Sequence, residues 1–326
     1  MKALLLDAPG LDHLRIGEVP DPAPGPGDVL VEVEACGLNP VDAWTAGSGH
    51  PAWDWPHVPG LDVVGTVVAL GADVDGFAPG DRIAVHSDLR RDGGLAALAA
   101  VPALACARVP DGLGAAEAAA LPCAGLTALQ AVERRLRVGP ADTVLVTAAA
   151  GGVGGFAVQL AAAAGARVLA TASSPRRDEV LALGAETVID YRTEDVAGRV
   201  RELTGGRGVD AVVDTVSAAS ATANLGLLVH GGGIACVASR ADLTAVPEFT
   251  VAPSVHEISL GAAHASGDDR AVRWLATGLA DLLGRVAAGT LDPRVRETVA
   301  LDEVPDALAR LAGRHVAGKI VAVVRP

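Results

Sequence analysis

Hydrophobic residues in the first hundred positions fall in short runs divided by glycine and proline. The runs at 2–6, 29–35, 63–70 and 82–86 have strand length and are mostly aliphatic, so each predicts a strand. DPAPGPGD at 21–28 is turn chemistry between the first two. From Ala115 the texture changes. AAEAAAL is helical, and 124–137 predicts a longer helix closed by Gly139-Pro140.

Strand and helix periods then alternate. TVLVT (143–147), RVLAT (167–171), TVID (187–190), VDAVVD (209–214) and GGIACVA (232–238) each follow or precede a helical stretch, and 257–261 is a last short strand. Six strands joined by helices predict a doubly wound parallel sheet. A long helix is expected at 270–288. The tail 296–326 returns to strand–helix–strand and is too short to stand alone. It is expected to pack on the N-terminal β region, making the α/β run an insertion.

Composition narrows the class. The 326 residues suggest about two domains. Half are hydrophobic but only 2% aromatic, so the cores must be aliphatic. A formal charge of −13 argues against nucleic acid or an anionic membrane as partner. The stretch 143–166 carries no charge and could span a bilayer by length, but Gly151, Gly152, Gly154 and Gly155 interrupt it; strand, glycine turn and helix is the better reading. The apolar run after Met1 and Lys2 is too short for a signal peptide. Cys36, Cys106, Cys123 and Cys236 are widely spaced, with no redox or zinc-knuckle pair, and the expected location is the reducing cytoplasm.

Directly after TVLVT comes AAAGGVGG (148–155), opening an alanine-rich helix. Read as A-x-G-x-x-G, it offers Ala149, Gly151 and Gly154, with Gly152 and Val153 between them. Such a turn lets backbone approach a pyrophosphate at a helix N-terminus; an ordinary strand–helix turn is the alternative. The acid that holds ribose hydroxyls in NAD sites is replaced by Ala172, followed by SSPRR (173–177). A hydroxyl at Ser173 and the guanidinium groups of Arg176 and Arg177 favour a 2′-phosphate, and hence NADPH. The other reading is a solvated helix start capped by Ser-Ser-Pro.

GDVLVEVEACGLNPVD, PGLDVVGTVVALGADV, GDRIA, LPCAGLTAL, the glycine turn, DYR and GKIV together resemble the medium-chain dehydrogenase/reductase superfamily, in its zinc-free quinone oxidoreductase (zeta-crystallin-like) branch. The resemblance implies a GroES-like β domain at 1–118 and 266–326, a Rossmann domain at 119–265, and an active site where the two meet. Matched position by position, Arg176 and Tyr191 face the 2′-phosphate, Val237 passes the nicotinamide and Lys319 lies in a segment that approaches the cofactor. Relatives commonly pair their last Rossmann strands, so a homodimer is expected.

Zinc-dependent relatives hold the metal through two cysteines and a histidine. Here Asn39 and Leu61 replace two of the three, Cys123 alone survives, and no metal is expected. Hydride transfer to a quinone or an α,β-unsaturated carbonyl depends less on a Lewis acid than alcohol oxidation does, and that small-molecule substrate class is the implied activity. A biosynthetic enoyl or polyketide reductase, or a non-catalytic NADPH-binding protein, would share the cofactor motifs. Asn39 could donate to the substrate oxygen, orient the nicotinamide, or cap the turn before Pro40. Asp42, the family's acid at that place, either orients its neighbours or delivers a proton, and Thr127 either contacts one of the rings or is a buried helix-start hydroxyl. Trp44, Trp53 and Trp55 either line the substrate wall or fill a core poor in aromatics. The segment 92–101 lacks the family's A-E-Y signature, and Val41 stands at its proton-relay hydroxyl.

Overall fold

The computed structural model describes residues 1–313 and 316–325; Arg314, His315 and Pro326, inside the tail predicted at 296–326, lie outside the described residues. The chain divides into two units: Met1–Leu126 with Leu260–Pro326, and Thr127–Ser259.

The first segment carries β1 (Lys2–Leu6), β2 (Leu14–Glu18), β3 (Asp28–Leu38), α1 (Pro40–Ser48), β4 (Asp62–Leu70), β5 (Arg82–His86), β6 (Leu98–Pro102), β7 (Ala107–Arg108), α2 (Ala115–Ala119) and α3 (Pro122–Leu129), whose last residues open the second unit. The second unit adds β8 (Thr143–Val146), α4 (Gly152–Ala163), β9 (Arg167–Ala172), β10 (Thr187–Asp190), β11 (Val209–Asp214), β12 (Leu228–Cys236) and β13 (Ser254–Glu257). The return segment supplies a helix at Asp269–Ala287, then β14 (Val295–Ala300), a helix at Val304–Ala312, and β15 (Lys319–Val323).

In the first unit β1 and β2 form a hairpin, and seven strands form one sheet, in order β14-β15-β3-β4-β5-β7 with β6 on β3. β3 is the hub. It pairs antiparallel with β4, β6 and β15, and its alternating valines, Val29, Val31 and Val33, are fully buried. A second core gathers Leu38 and Ile320 with Val304, Ala307 and Leu308 of the last helix.

The second unit is a six-stranded, all-parallel sheet of order β10-β9-β8-β11-β12-β13. Numbered within the unit, this is 3-2-1-4-5-6, whose switch point falls between the first and fourth strands. Its central strands read as unbroken aliphatic runs because both faces are covered.

Three expectations shift. The helix predicted at 124–137 is α3 followed by a π-helical stretch, Gln130–Arg135. The strand predicted at 232–238 starts at Leu228, since Gly231–Gly233 is carried inside β12 with a register shift on β11. The strand predicted at 257–261 lies at Ser254–Glu257, and Gly261–Ala265 is helical. Among the described residues no helix is long and apolar enough to cross a membrane.

Candidate functional site

The glycine turn runs from the end of β8 to the start of α4. Ala148 takes a left-handed φ of 47°, a conformation a side chain resists, and β9 secures it: Thr171 Oγ1 accepts the Ala148 N–H at 3.1 Å and Thr171 O accepts that of Ala149 at 2.9 Å. Gly151 is the N-cap, extended at φ −72° and ψ 178°. The N–H groups of Gly152, Val153 and Gly154 therefore begin the helix without intrahelical acceptors, and the dipole puts partial positive charge there. Gly154 lies so close to the turn that an added Cβ would sit 2.4 Å from Ala148 O. A pyrophosphate fits this arrangement.

The neighbouring strand ends hold the remaining candidates. Ala172 closes β9, small and buried, where an acid would repel a phosphate. Ser173 is half-buried, and Arg176 and Arg177 are exposed, loosely paired with Glu179 at 3.5 Å and Glu194 at 3.7 Å. Tyr191 is exposed, with the Arg192 guanidinium 5.7 Å from its ring centroid. Val237 follows β12 and donates its N–H to Asp214 O at 2.9 Å.

Asp190, at the end of β10, organises this edge and was not singled out by sequence reasoning beyond its place in DYR. It accepts the Ser174 N–H at 2.9 Å and the Ser174 hydroxyl, and takes the Arg192 N–H at 2.9 Å. Those bonds hold its carboxyl below the usual range, with the Ser174 hydroxyl foremost. The basic loop and the Tyr191–Arg192 corner are thus tied to one carboxylate.

A second cluster lies in the first unit. Asn39 is the N-cap residue of α1 but makes no capping bond with its side chain, and Asp42 Oδ2 accepts its backbone N–H at 2.8 Å. Both amide hydrogens of Asn39 are committed, to Asp62 Oδ2 at 2.8 Å and Gly37 O at 3.3 Å. Its Oδ1 receives the Lys319 ammonium at 2.5 Å. Lys319 also donates to Leu38 O at 3.0 Å and lies 3.8 Å from Asp62 Oδ2. This buried network is where Lys319 spends its hydrogen bonds. Burial, with the Asp62 charge adding to it, lifts Asp42 to about 7. Burial lifts Asp62 to about 6, against the pull of Lys319 and the Asn39 amide. Thr127 is buried on α3 as the second unit begins. Of the tryptophans, Trp53 is core: it stacks on His57 at 3.8 Å and donates to Leu89 O at 2.7 Å, while Trp44 and Trp55 are exposed.

A glycine turn feeding a helix from a 3-2-1-4-5-6 parallel sheet, in a chain whose other unit is a β fold around a hub strand, is the architecture of the dinucleotide-dependent dehydrogenase class. Residues 152–272 match the family model described as zinc-binding dehydrogenase, and residues 25–111 match the alcohol dehydrogenase GroES-like domain. The chain is 34% identical to the quinone oxidoreductase of Sus scrofa over 236 residues, covering 72% of this chain and 71% of that protein. It is 39% identical over 219 residues to the chloroplastic quinone-oxidoreductase QR1 of Triphysaria versicolor, covering 64% of this chain and 65% of that one, just under two thirds of the relative's length. The crystal structure of a quinone oxidoreductase from Pseudomonas syringae pv. Tomato DC3000 superposes with a TM-score of 0.89 at 30% identity, covering 99% of both chains. The chain belongs to the medium-chain dehydrogenase/reductase superfamily.

The zinc that the family description implies does not fit the positions that hold it in relatives. Asn39 is fully bonded to protein groups, and Leu61 is a buried hydrocarbon. What the fold does bring together is Cys123, the surviving ligand position, with two donors that sequence reasoning missed, Asp62 and His86, one ligand atom from each lying within 4.8 Å of the others.

Proposed function

We propose that the chain is an NADPH-dependent oxidoreductase that passes hydride to a quinone or an α,β-unsaturated carbonyl without zinc. The observation that carries the cofactor reading is the edge at Ala172: no acid at the end of β9 itself, three arginines (Arg176, Arg177, Arg192) close in sequence, and a loop clamped by Asp190. The acceptor reading rests on the quinone oxidoreductase relatives and on the loss of two metal-ligand positions.

When bound, the dihydronicotinamide supplies the hydride, and a proton from water completes reduction of the acceptor. The chain's own part is positional. Gly152, Val153 and Gly154 hold the pyrophosphate through backbone N–H groups. Ser173, Arg176 and Tyr191 would hold the 2′-phosphate, for which Arg176 would give up its long contact to Glu179. Val237 borders the nicotinamide. The Thr127 hydroxyl would face the reacting rings, and Asp42 fixes the start of α1 through the Asn39 N–H rather than touching substrate.

A titration of NADPH against NADH, repeated with Arg176→Ala, tests the cofactor reading. We expect NADPH to bind more tightly, and the substitution to weaken it by roughly 10- to 100-fold, about what charge-assisted hydrogen bonds contribute, while NADH is little affected. Equal affinity for both coenzymes in the unaltered protein would overturn it. NADPH oxidation across quinones, enones and an enoyl thioester then tests the acceptor: turnover of the thioester alone would assign a biosynthetic reductase, and turnover of none would leave a binding protein.

The reading includes a homodimer paired along β13, which is the edge of the parallel sheet. Sedimentation velocity should give a dimer mass. A monomer at all concentrations would remove that part.

A further inference from the structure

The buried end of β4 faces β5 and α3 with donors of three kinds. Asp62 is fully buried; its Oδ2 is taken by Asn39, but its Oδ1 has no hydrogen-bond partner of good geometry. His86 is 4% exposed, and its Nδ1 likewise has no partner. The partly buried Cys123 completes the set within 4.8 Å. Two orphaned buried polar atoms are uncommon and each costs stability. A carboxylate, a neutral imidazole and a thiol converging at this separation are the ligand types that suit a divalent transition metal.

One group argues against an ion there. The Lys319 ammonium is 3% exposed, fixed by Leu38 O and Asn39 Oδ1, and lies 3.8 Å from Asp62. An ion ligated by Asp62 would share that carboxylate with a buried cation, in a medium where like charges interact strongly. Neither partner of the ammonium can swing away, since Leu38 O is backbone in β3 and Asn39 is pinned through both ends of its amide.

We propose that Asp62, His86 and Cys123 form a latent transition-metal site held shut by Lys319, whose ammonium supplies the positive charge that an ion would otherwise bring. The proposal deepens the metal-free reading of the enzyme and rests on it. It also assigns Lys319 a role independent of the nucleotide: removing the charge should open the site, and the three donors should then bind an ion with nothing added.

The test is titration of the full-length chain with Co²⁺ after chelator treatment, followed by equilibrium dialysis and by the thiolate-to-cobalt absorption band. The unaltered protein should show no such band. Lys319→Met should bind one equivalent at least about a hundredfold more tightly, a modest share of the repulsion expected between close buried charges. Its band should disappear when Cys123→Ser is added. Lys319→Gln keeps a donor for Asn39 Oδ1 and Leu38 O, and provides a folded variant should the methionine fail; Lys319→Arg keeps the charge and should stay closed. A cobalt–thiolate band of equal affinity in the unaltered protein would overturn the proposal, as would a folded, uncharged variant that binds no cobalt. Because the readout needs no turnover, its failure is distinguishable from failure of the NADPH and acceptor assays.

Discussion

Gly154→Val should abolish nucleotide binding and destabilise the parallel-sheet unit by about 3 kcal/mol or more, at the upper end of overpacking costs. The physical reason is local. An added Cβ would meet Ala148 O at 2.4 Å and Ala149 Cα at 2.9 Å, and both are backbone atoms of a turn already strained at Ala148. Neither can yield without withdrawing the turn from β9. Gly151→Ala is the contrast: its Cβ would lie 3.3 Å from the same carbonyl, close enough to need only a small shift, so the fold should survive. Urea unfolding followed by far-UV circular dichroism, with NADPH fluorescence titration alongside, separates the two. Equal stability of the two variants would mean that close helix–strand packing is not what position 154 requires.

The second large effect concerns pH. Asp42 is buried and titrates near 7 in the fold, against 3.8 as its reference value. As pH rises from about 4 to about 7, the unfolded chain releases this proton and the native one keeps it, so stability falls through that window and is flat above it. Asp42→Asn keeps an oxygen for the Asn39 N–H and removes the ionisation. The variant should therefore lose this part of the slope and be more stable at pH 8, on the order of 4 kcal/mol from a shift of roughly three units. At pH 4 the two proteins should nearly coincide. All four tryptophans (Trp44, Trp53, Trp55 and Trp274) lie in the first unit, so their fluorescence follows the unit that holds Asp42. Parallel stability–pH curves for the two proteins would show that Asp42 ionises as freely in the fold as outside it.

Where one residue type dominates a run, the fold was legible. The strands at 2–6, 82–86, 187–190 and 209–214 begin and end in the structure at the predicted residues, because continuous or alternating aliphatics abut turn residues there. β2 was missed because Leu14–Glu18 is a charged, half-exposed hairpin arm with no clear alternation. α1 was missed too, since its Pro-Val and Ala-Gly-Ser stretches give little helical signal. Glycines displaced the ends of β12 because a strand can carry them when its neighbours supply the pairing. The phosphate edge could be read because its residues are contiguous in SSPRR, whereas its clamp, Asp190, comes from another strand. The Asp62–His86–Cys123 set had no spacing signature at all. Its members sit on β4, β5 and α3, and only the closed sheet of the first unit brings them together.

The pairing of β15 with β3 bears on the order in which the chain is assembled. Ile320 stands opposite Leu38, and Lys319 reaches back 281 residues to the Leu38 carbonyl. While the ribosome is still making the middle of the chain, β3 has β4 and β6 beside it but lacks its third neighbour. The parallel-sheet unit, continuous in sequence, has all six of its strands by Glu257. Synthesis thus delivers a complete inner unit before the outer one can close, and the hub strand, with Asp62 close by, waits for the last strand and its lysine.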